Sequence, residues 1–222
     1  MNILFDLDGT LTESSPGFIA SIRHTLQIMQ RPIPSDEIIR RQIGPPIEST
    51  LALFLGSDDA EVMSTGLGHY RQRYSSIGLF ENSVYAGIED SLITLRDSGA
   101  RLFVATSKPQ VFAKRILDHF ELTHYFQAVY GSELDGSRAN KAELIAHLMR
   151  NESLAAVSTL MIGDRLHDAA GALANGITPI GVLWGFGSRE ELIDAGVQTI
   201  CEQPAQLPEI IQRTIRQKAP ST

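Results

Sequence analysis

Eight residues of this chain have types and positions that could do chemistry together: Asp6, Asp8, Asp164, Asp168, Thr106, Ser107, Lys108 and Lys141. Asp6 and Asp8 are two apart, and Gly9 behind them lets the backbone turn sharply so that both carboxylates face one site. Like charges raise each other's pKa, so four carboxylates do not share a small site unpaired. A hard divalent cation held by oxygen ligands, most naturally Mg²⁺ with several of its waters, resolves the conflict. Any one of these aspartates, taken alone, reads as a helix cap or turn former. Their joint placement argues otherwise.

That placement depends on the elements between them. Ile3–Phe5 is a short apolar run ending in Asp6-Leu7-Asp8-Gly9-Thr10, the pattern of a buried strand meeting a loop. From Ser15 to Asn82 the periodicity is helical. Ser15 is expected as an N-cap with Pro16 at the first helical position, and Ile19, Ile22, Leu26 and Met29 follow at three- and four-residue spacing. A second helix opens at Ser35-Asp36-Glu37, a third covers Thr50–Leu55, and a fourth covers Asp58–Tyr74 with Asp58 and Glu61 spaced as a capping box. Beyond Gly87 strand-like runs (Leu102–Ala105, Ala128–Tyr130, Thr159–Ile162, Ile177–Val182, Thr199–Cys201) alternate with helical ones. Alternation of this kind means βα units and a parallel sheet. The chain is therefore expected to be α/β, a Rossmann-like core of residues 1–14 and 83–222 with a helical cap, residues 15–82, inserted after the first strand. Ligands of open parallel sheets bind at the carboxyl ends of the strands. Asp6 and Asp8, Thr106 to Lys108, and Asp164 with Asp168 all fall just after a strand-like run, and Lys141 opens a helix.

Composition narrows the classes. The chain has 222 residues, 43% hydrophobic and 20% charged, enough for one or two ordinary globular domains. Its net charge of −7 and only four lysines argue against binding a nucleic-acid polymer, and by themselves raise doubt about an anionic substrate. The single cysteine, Cys201, excludes an intramolecular disulfide and a cysteine-based zinc site. No stretch approaches the roughly 18 continuous apolar residues of a spanning helix, so no membrane partner and a cytoplasmic location are expected. The tail Ala219–Thr222 is expected to fray.

Asp6-Leu7-Asp8-Gly9-Thr10-Leu11-Thr12, then Thr106, then Lys141, then Gly163-Asp164-Arg165-Leu166-His167-Asp168 resemble, in order, the four motifs of the haloacid dehalogenase superfamily. The resemblance covers nearly the whole chain. Ile43-Gly44-Pro45-Pro46, Ser107-Lys108-Pro109, Leu134-Asp135-Gly136-Ser137-Arg138 and Gly185-Phe186-Gly187-Ser188 look like its phosphoglycolate phosphatase-like branch, which also includes enzymes named 5′-nucleotidases. The resemblance implies a phosphomonoesterase for a small phosphorylated metabolite. Asp6 would be the nucleophile and Asp8 the general acid and base. Thr106, Ser107, Lys108 and Gly9 would meet the substrate, helped by backbone N–H groups near Ser107 at a helix start. Lys141 would neutralise charge on the phosphoryl group and on Asp6. Mg²⁺ would be held by Asp6, the Asp8 carbonyl and Asp164, with Asp168 acting through a water. Lys108 would touch substrate or pair with Asp164 or Asp168, and Arg138 and Arg165 would serve as pairing residues. Gly44 to Pro46, with Arg40, Arg41 and Gln42, would read the leaving group.

Other chemistries of the superfamily fit less well. A dehalogenase needs neither Asp8 nor a metal, and the Schiff-base hydrolases need a cap lysine, which residues 15–82 lack. A sugar-phosphate mutase uses the same aspartate pair and stays open as the alternative, told apart by whether phosphate is released to water or moved between hydroxyls. Receiver modules of signalling proteins also gather Asp, Thr and Lys around Mg²⁺, but lack both the helical cap and the second acid.

Overall fold

The first apolar run becomes a strand with no solvent-facing side. The computed structural model describes residues 1–218, and the tail expected to fray lies outside them. In β1 (Asn2–Phe5), Ile3 and Phe5 pack into one hydrophobic cluster and Leu4 into another, so the strand is covered on both faces. This is why a parallel-sheet strand reads as a continuous apolar run rather than an alternation. Burial of each large apolar side chain is worth roughly 1.5–3 kcal/mol, which makes β1 a firm base for the residues that follow it.

The chain then makes β2 (Thr12–Glu13), α1 (Ser15–Ile28), α2 (Asp36–Arg40), α3 (Ile47–Leu55), α4 (Ala60–Arg73), a π-helical turn (Tyr74–Gly78) and β3 (Ser83–Val84). Strands β2 and β3 pair antiparallel, Thr12 opposite Val84 and Glu13 opposite Ser83. The helices α1–α4 thus leave and rejoin the chain through a two-stranded ribbon that the sequence does not announce. After it come α5 (Ile88–Asp97), β4 (Arg101–Pro109), α6 (Gln110–His119), β5 (Ala128–Ser132), α7 (Lys141–Asn151), β6 (Thr159–Gly163), α8 (Leu166–Ala174), β7 (Thr178–Val182), α9 (Arg189–Asp194), β8 (Thr199–Cys201) and α10 (Leu207–Lys218). Six strands form one parallel sheet in the order β5-β4-β1-β6-β7-β8. The expected α/β architecture is observed. The chain runs outward from β1 through β4 to β5, then returns across β1 to β6, so the strand order reverses around β1. Crevices of open sheets form at such a reversal.

Helix starts depart from the sequence reading. Helix α1 begins at Ser15 itself, with Ser14 flanking it and no side-chain cap, while Pro16 keeps its place in the first turn. Helix α3 begins at Ile47, before the expected Thr50, because the extended Pro46 already sets the entry. The acid capping α4 is Asp59, accepting from the Glu61 and Val62 N–H groups, and not Asp58. Ser35 caps α2 as expected, accepting from Ile38 N–H.

Strand β4 does not stop at Ala105. Ala105 lies opposite Tyr130 but Pro109 opposite Ser132, so β4 carries two extra residues between these pairs. Bulges of this kind bend a strand and re-aim its side chains. Gly131 permits it, since a Cβ there would lie 2.6 Å from the Lys108 carbonyl oxygen. Ser132 Oγ fastens it by donating to Ser107 O at 2.8 Å. Because β4 continues through the bulge, the N–H groups near Ser107 belong to a bulged strand and not to a helix start, and α6 begins at Gln110.

Candidate active site

Asp6 and Asp164 directly follow β1 and β6, and Thr106 opens the bulge of β4, so three adjacent strands supply the three side chains. Asp6 is held by its N–H, which donates to Ile162 O on β6 at 2.9 Å. The chain then turns tightly, with the N–H groups of Thr10, Leu11 and Thr12 all directed at Leu7 O. Gly9 at the apex has φ +83°, and a Cβ there would lie 2.2 Å from Asp164 Oδ2. Glycine is required on both counts. Thr10 Oγ1 donates to Asp164 Oδ1 at 3.2 Å, and Phe186 N–H donates to Asp164 Oδ2 at 2.7 Å. Gly185 and Gly187 let that loop close over Asp164, since a Cβ on either would lie within 2.5 Å of its atoms.

Lys141 reaches the site from the first turn of α7, which Asn140 caps. Its ammonium lies 2.8 Å from Asp6 Oδ1, 2.9 Å from Ala105 O and 2.7 Å from Asp168 Oδ1. Burial works against this cation, but Asp168 and Asp6 outweigh it and hold the pKa above the ordinary lysine value. Asp168 sits in the first turn of α8, where its Oδ2 accepts from Arg165 N–H. Asp168 Oδ1 is buried and, despite the nearby ammonium, accepts no hydrogen bond of proper geometry among the described residues. Asp6 is pushed up to about 6, chiefly by burial and against the pull of Lys141, with Asp168 and Asp8 adding repulsion. Asp164 is pushed well above the usual carboxylate range by burial, then by Asp168 and Asp6.

Asp6, Asp164 and Asp168 each offer a carboxylate oxygen, all within 4.8 Å of one another and all buried. Two buried carboxylates with raised pKa values, Asp6 and Asp164, beside the orphaned oxygen of Asp168 are short of positive charge. An all-oxygen donor set of this kind fits Mg²⁺.

The bulge aims Thr106, Ser107 and Lys108 at the same place, and all three line a cavity of about 80 Å³ together with Asp6, Asp8 and Lys141. Lys108 pairs with neither Asp164 nor Asp168. Its ammonium lies 2.6 Å from Asp8 Oδ1, because the bulge carries it across β1 toward the residue two beyond Asp6. Arg165 pairs with Glu191 at 2.8 Å and also reaches Ile43 O in the inserted segment. Glu191 is thereby engaged with Arg165 and Leu166 N–H, while Ser188 Oγ accepts from Glu191 N–H. Arg138 pairs with Glu133.

Gly44, Pro45 and Pro46 line the cavity, but Arg40, Arg41 and Gln42 do not. Arg40 instead pairs with Glu13 and lies over the Phe186 ring, and Arg41 pairs with Glu37 on its own helix. Phe18, Tyr70, Arg71, Tyr74 and Phe112, which no sequence motif marks, also line the cavity. At helical spacing their aromatic pattern is indistinguishable from ordinary core. Gly171 of α8 packs against Lys141, whose Cγ a Cβ there would approach to 2.8 Å.

A parallel sheet carrying a carboxylate nucleophile candidate, a buried lysine and an acidic cation site at the ends of its central strands defines a class of hydrolase. Residues 3–182 match the family model described as haloacid dehalogenase-like hydrolase, and the chain belongs to that family. It is 44% identical over 211 residues to a protein of Pseudomonas aeruginosa named 5′-nucleotidase, covering 95% of each chain. It is 39% identical over 209 residues to a Mycobacterium tuberculosis protein named tyrosine-protein kinase PtkA, covering 94% of this chain and 70% of that one. Among solved structures, a predicted phosphatase from Clostridium acetobutylicum superposes with a TM-score of 0.91 at 40% identity, covering 96% of this chain and 98% of that one.

Proposed function

We propose that this chain is a Mg²⁺-dependent phosphomonoesterase that hydrolyses a small phosphorylated metabolite through an aspartyl-phosphate on Asp6. The observation that carries the reading is the contact set at Asp6: a buried carboxylate, 2.8 Å from the Lys141 ammonium, in a cavity that Thr106, Ser107 and Lys108 also line. An Asp6 oxygen attacks phosphorus while the bond to the ester oxygen breaks, and the Asp8 carboxyl group gives its proton to that oxygen. Water then attacks the phosphoryl group, Asp8 takes a proton back, and Asp6 is released with inorganic phosphate. Lys141 and Thr106 stabilise charge on the phosphoryl oxygens. Asp6, Asp164 and the Asp8 carbonyl would hold Mg²⁺ directly and Asp168 through a water. When bound, the cation offsets the charge of the carboxylates and of the phosphoryl group.

Residues 15–82 act in this reading as a cap over a core of residues 1–14 and 83–222, closing to exclude water and opening to exchange ligands. The 44% identical relative named 5′-nucleotidase supports a nucleoside 5′-monophosphate as substrate. A cavity of about 80 Å³ favours a smaller ester such as phosphoglycolate. It has room for about half a dozen waters, so a nucleoside requires the cap to open further. A single buried thiol, Cys201, is consistent with a reducing cytoplasm.

The test is phosphate release from p-nitrophenyl phosphate and from a panel of phosphorylated metabolites in the presence of Mg²⁺. Wild-type turnover should stop with EDTA and with Asp6→Asn, and Asp8→Asn should lower kcat about 10²–10⁴-fold on alkyl esters. Full activity of Asp6→Asn rules the mechanism out. Transfer of the phosphoryl group to a sugar or tyrosine hydroxyl without free phosphate would replace hydrolysis by a mutase or kinase reading.

A further inference from the structure

The ammonium of Lys108 lies between two parts of the chain that the sequence keeps far apart. Beyond Asp8 Oδ1 at 2.6 Å, it donates to the phenol oxygen of Tyr74 at 2.5 Å. The Lys108 side chain is 8% exposed and that of Asp8 15%, so this is not a solvent-screened surface pair. Tyr74 itself is held on several sides. Its ring stacks on Tyr70 with centroids 5.2 Å apart and planes 13° apart, and Phe112 of α6 meets it edge-on at 5.9 Å. It opens the π-helical turn, a local change of helical register that redirects side chains and is frequent at functional sites. That turn is pressed against α1 where Gly17 and Gly78 meet, so closely that a Cβ on Gly17 would lie 1.9 Å from Gly78 O. Burial keeps the phenol protonated and neutral, hence an acceptor for the ammonium rather than an ion-pair partner.

A lysine carries three donors on a flexible stem, so one partner leaves its head free to swivel. Two partners, one a rigidly packed ring, do not. We propose that Tyr74 is a positioning residue for departure of the leaving group: it fixes Lys108, and through Lys108 the orientation in which Asp8 presents its carboxyl group to the ester oxygen. The assignment rests on the phosphomonoesterase reading and adds to it a residue of the inserted segment. As the bond from phosphorus to the ester oxygen breaks and the bond to Asp6 forms, the proton passes from Asp8 to that oxygen. An alkoxide leaves poorly without this proton, whereas p-nitrophenolate is stable as the anion. A loss of Asp8 orientation therefore falls on alkyl esters and spares the aryl ester, which a general structural defect does not do.

The experiment compares wild type with Tyr74→Phe, which keeps the ring and removes the hydroxyl, on p-nitrophenyl phosphate and on the best alkyl phosphate of the panel, both with Mg²⁺. Tyr74→Phe should lower kcat on the alkyl ester about 10- to 100-fold, a fraction of a general acid's full effect, with KM little changed. On the aryl ester kcat should fall less than about 3-fold, far below a general acid's contribution. Lys108→Met, which also removes a cation from the cavity, should lower activity on both esters but more on the alkyl one, and adding Tyr74→Phe to it should cost little more on either, because the two act as one unit. If Tyr74→Phe does not fold, the selectivity of Lys108→Met decides. Equal losses on both esters, or a change confined to KM, overturn the assignment while leaving the phosphatase intact. Absence of phosphate release by the wild-type protein from either ester overturns the underlying reading and this assignment with it.

Discussion

At Lys141 a buried ammonium lies within 2.9 Å of two carboxylates and a carbonyl oxygen, so one side chain carries both the charge balance of the site and part of its stability. Removing one partner of a buried ionic cluster leaves the others uncompensated, typically at a cost of about 3–5 kcal/mol. Lys141→Met should lower the unfolding free energy of the metal-free protein by about 3 kcal/mol, near the bottom of that range because Asp6 can take up a proton instead. Urea unfolding in EDTA measures this. A loss below about 0.5 kcal/mol, the size of a surface substitution, would mean that the lysine is not the counter-ion of the cluster.

Among the elements, the approach of α8 to α7 shows packing overriding propensity. Within a helix, glycine to alanine is ordinarily stabilising by about 1 kcal/mol. At Gly171 the added Cβ would lie 2.8 Å from Lys141 Cγ and 3.1 Å from the Lys141 carbonyl carbon, neither of which can yield freely. Gly171→Ala should therefore destabilise by about 1–3 kcal/mol, the usual range for overpacking, and a stabilised variant in urea unfolding would refute the contact. The ribbon of β2 and β3 makes a different prediction through Glu13. Burial pushes the Glu13 pKa up, but hydrogen bonds from Ser15 and then Arg40 outweigh it and leave the pKa below the usual value of 4.5. A carboxylate whose folded pKa is depressed contributes stability above its unfolded pKa and loses it as pH falls through the folded one. Between pH 5 and about pH 3 the thermal midpoint should drop more for wild type than for Glu13→Gln, and parallel curves would show that Glu13 is not bound in this way.

Across the whole molecule, three of the cations that reach between the helices α1–α4 and the rest of the chain are each anchored by a carboxylate on their own side. Arg71, beside Glu48, reaches Leu134 O at 2.5 Å, while Arg165, beside Glu191, reaches Ile43 O and Lys108, beside Asp8, reaches Tyr74. These three and Lys141 all line the cavity. The net charge of −7 therefore says little about the field a phosphate meets, and the doubt it raised about an anionic substrate is corrected by where the cations lie. The carboxylate cluster predicts a second global property. A cation held by Asp6, Asp164 and Asp168 would bind only the folded site, so Mg²⁺ at about 100 times its dissociation constant should add about 2.7 kcal/mol of stability. For a chain of this size the thermal midpoint should then rise by several degrees, about 2–4 °C per kcal/mol, and fall back with EDTA. An unchanged midpoint would count against a cation at Asp6, Asp164 and Asp168.

The sequence by itself determined the alternation of strands and helices and the parallel sheet, and it marked Asp6, Asp8, Thr106, Lys141, Asp164 and Asp168 as one group, because polar residues just after apolar runs or in the first turn of a following helix fall on one edge of such a sheet. Boundaries were less legible: Asp58 and Asp59 are equally good caps until the backbone around them is fixed, and Ser14 and Ser15 likewise. Only the tertiary structure decided that Lys108 belongs to Asp8 rather than to Asp164, since a bulge of two residues on β4, made possible by Gly131 on the neighbouring strand, sets its direction. It also decided that Tyr70, Arg71 and Tyr74 line the cavity while Arg40 and Arg41 do not. Aromatic residues at helical spacing look alike in core and cavity wall, and the difference lies in where the β2–β3 ribbon and the Gly17–Gly78 contact place the helices over the sheet.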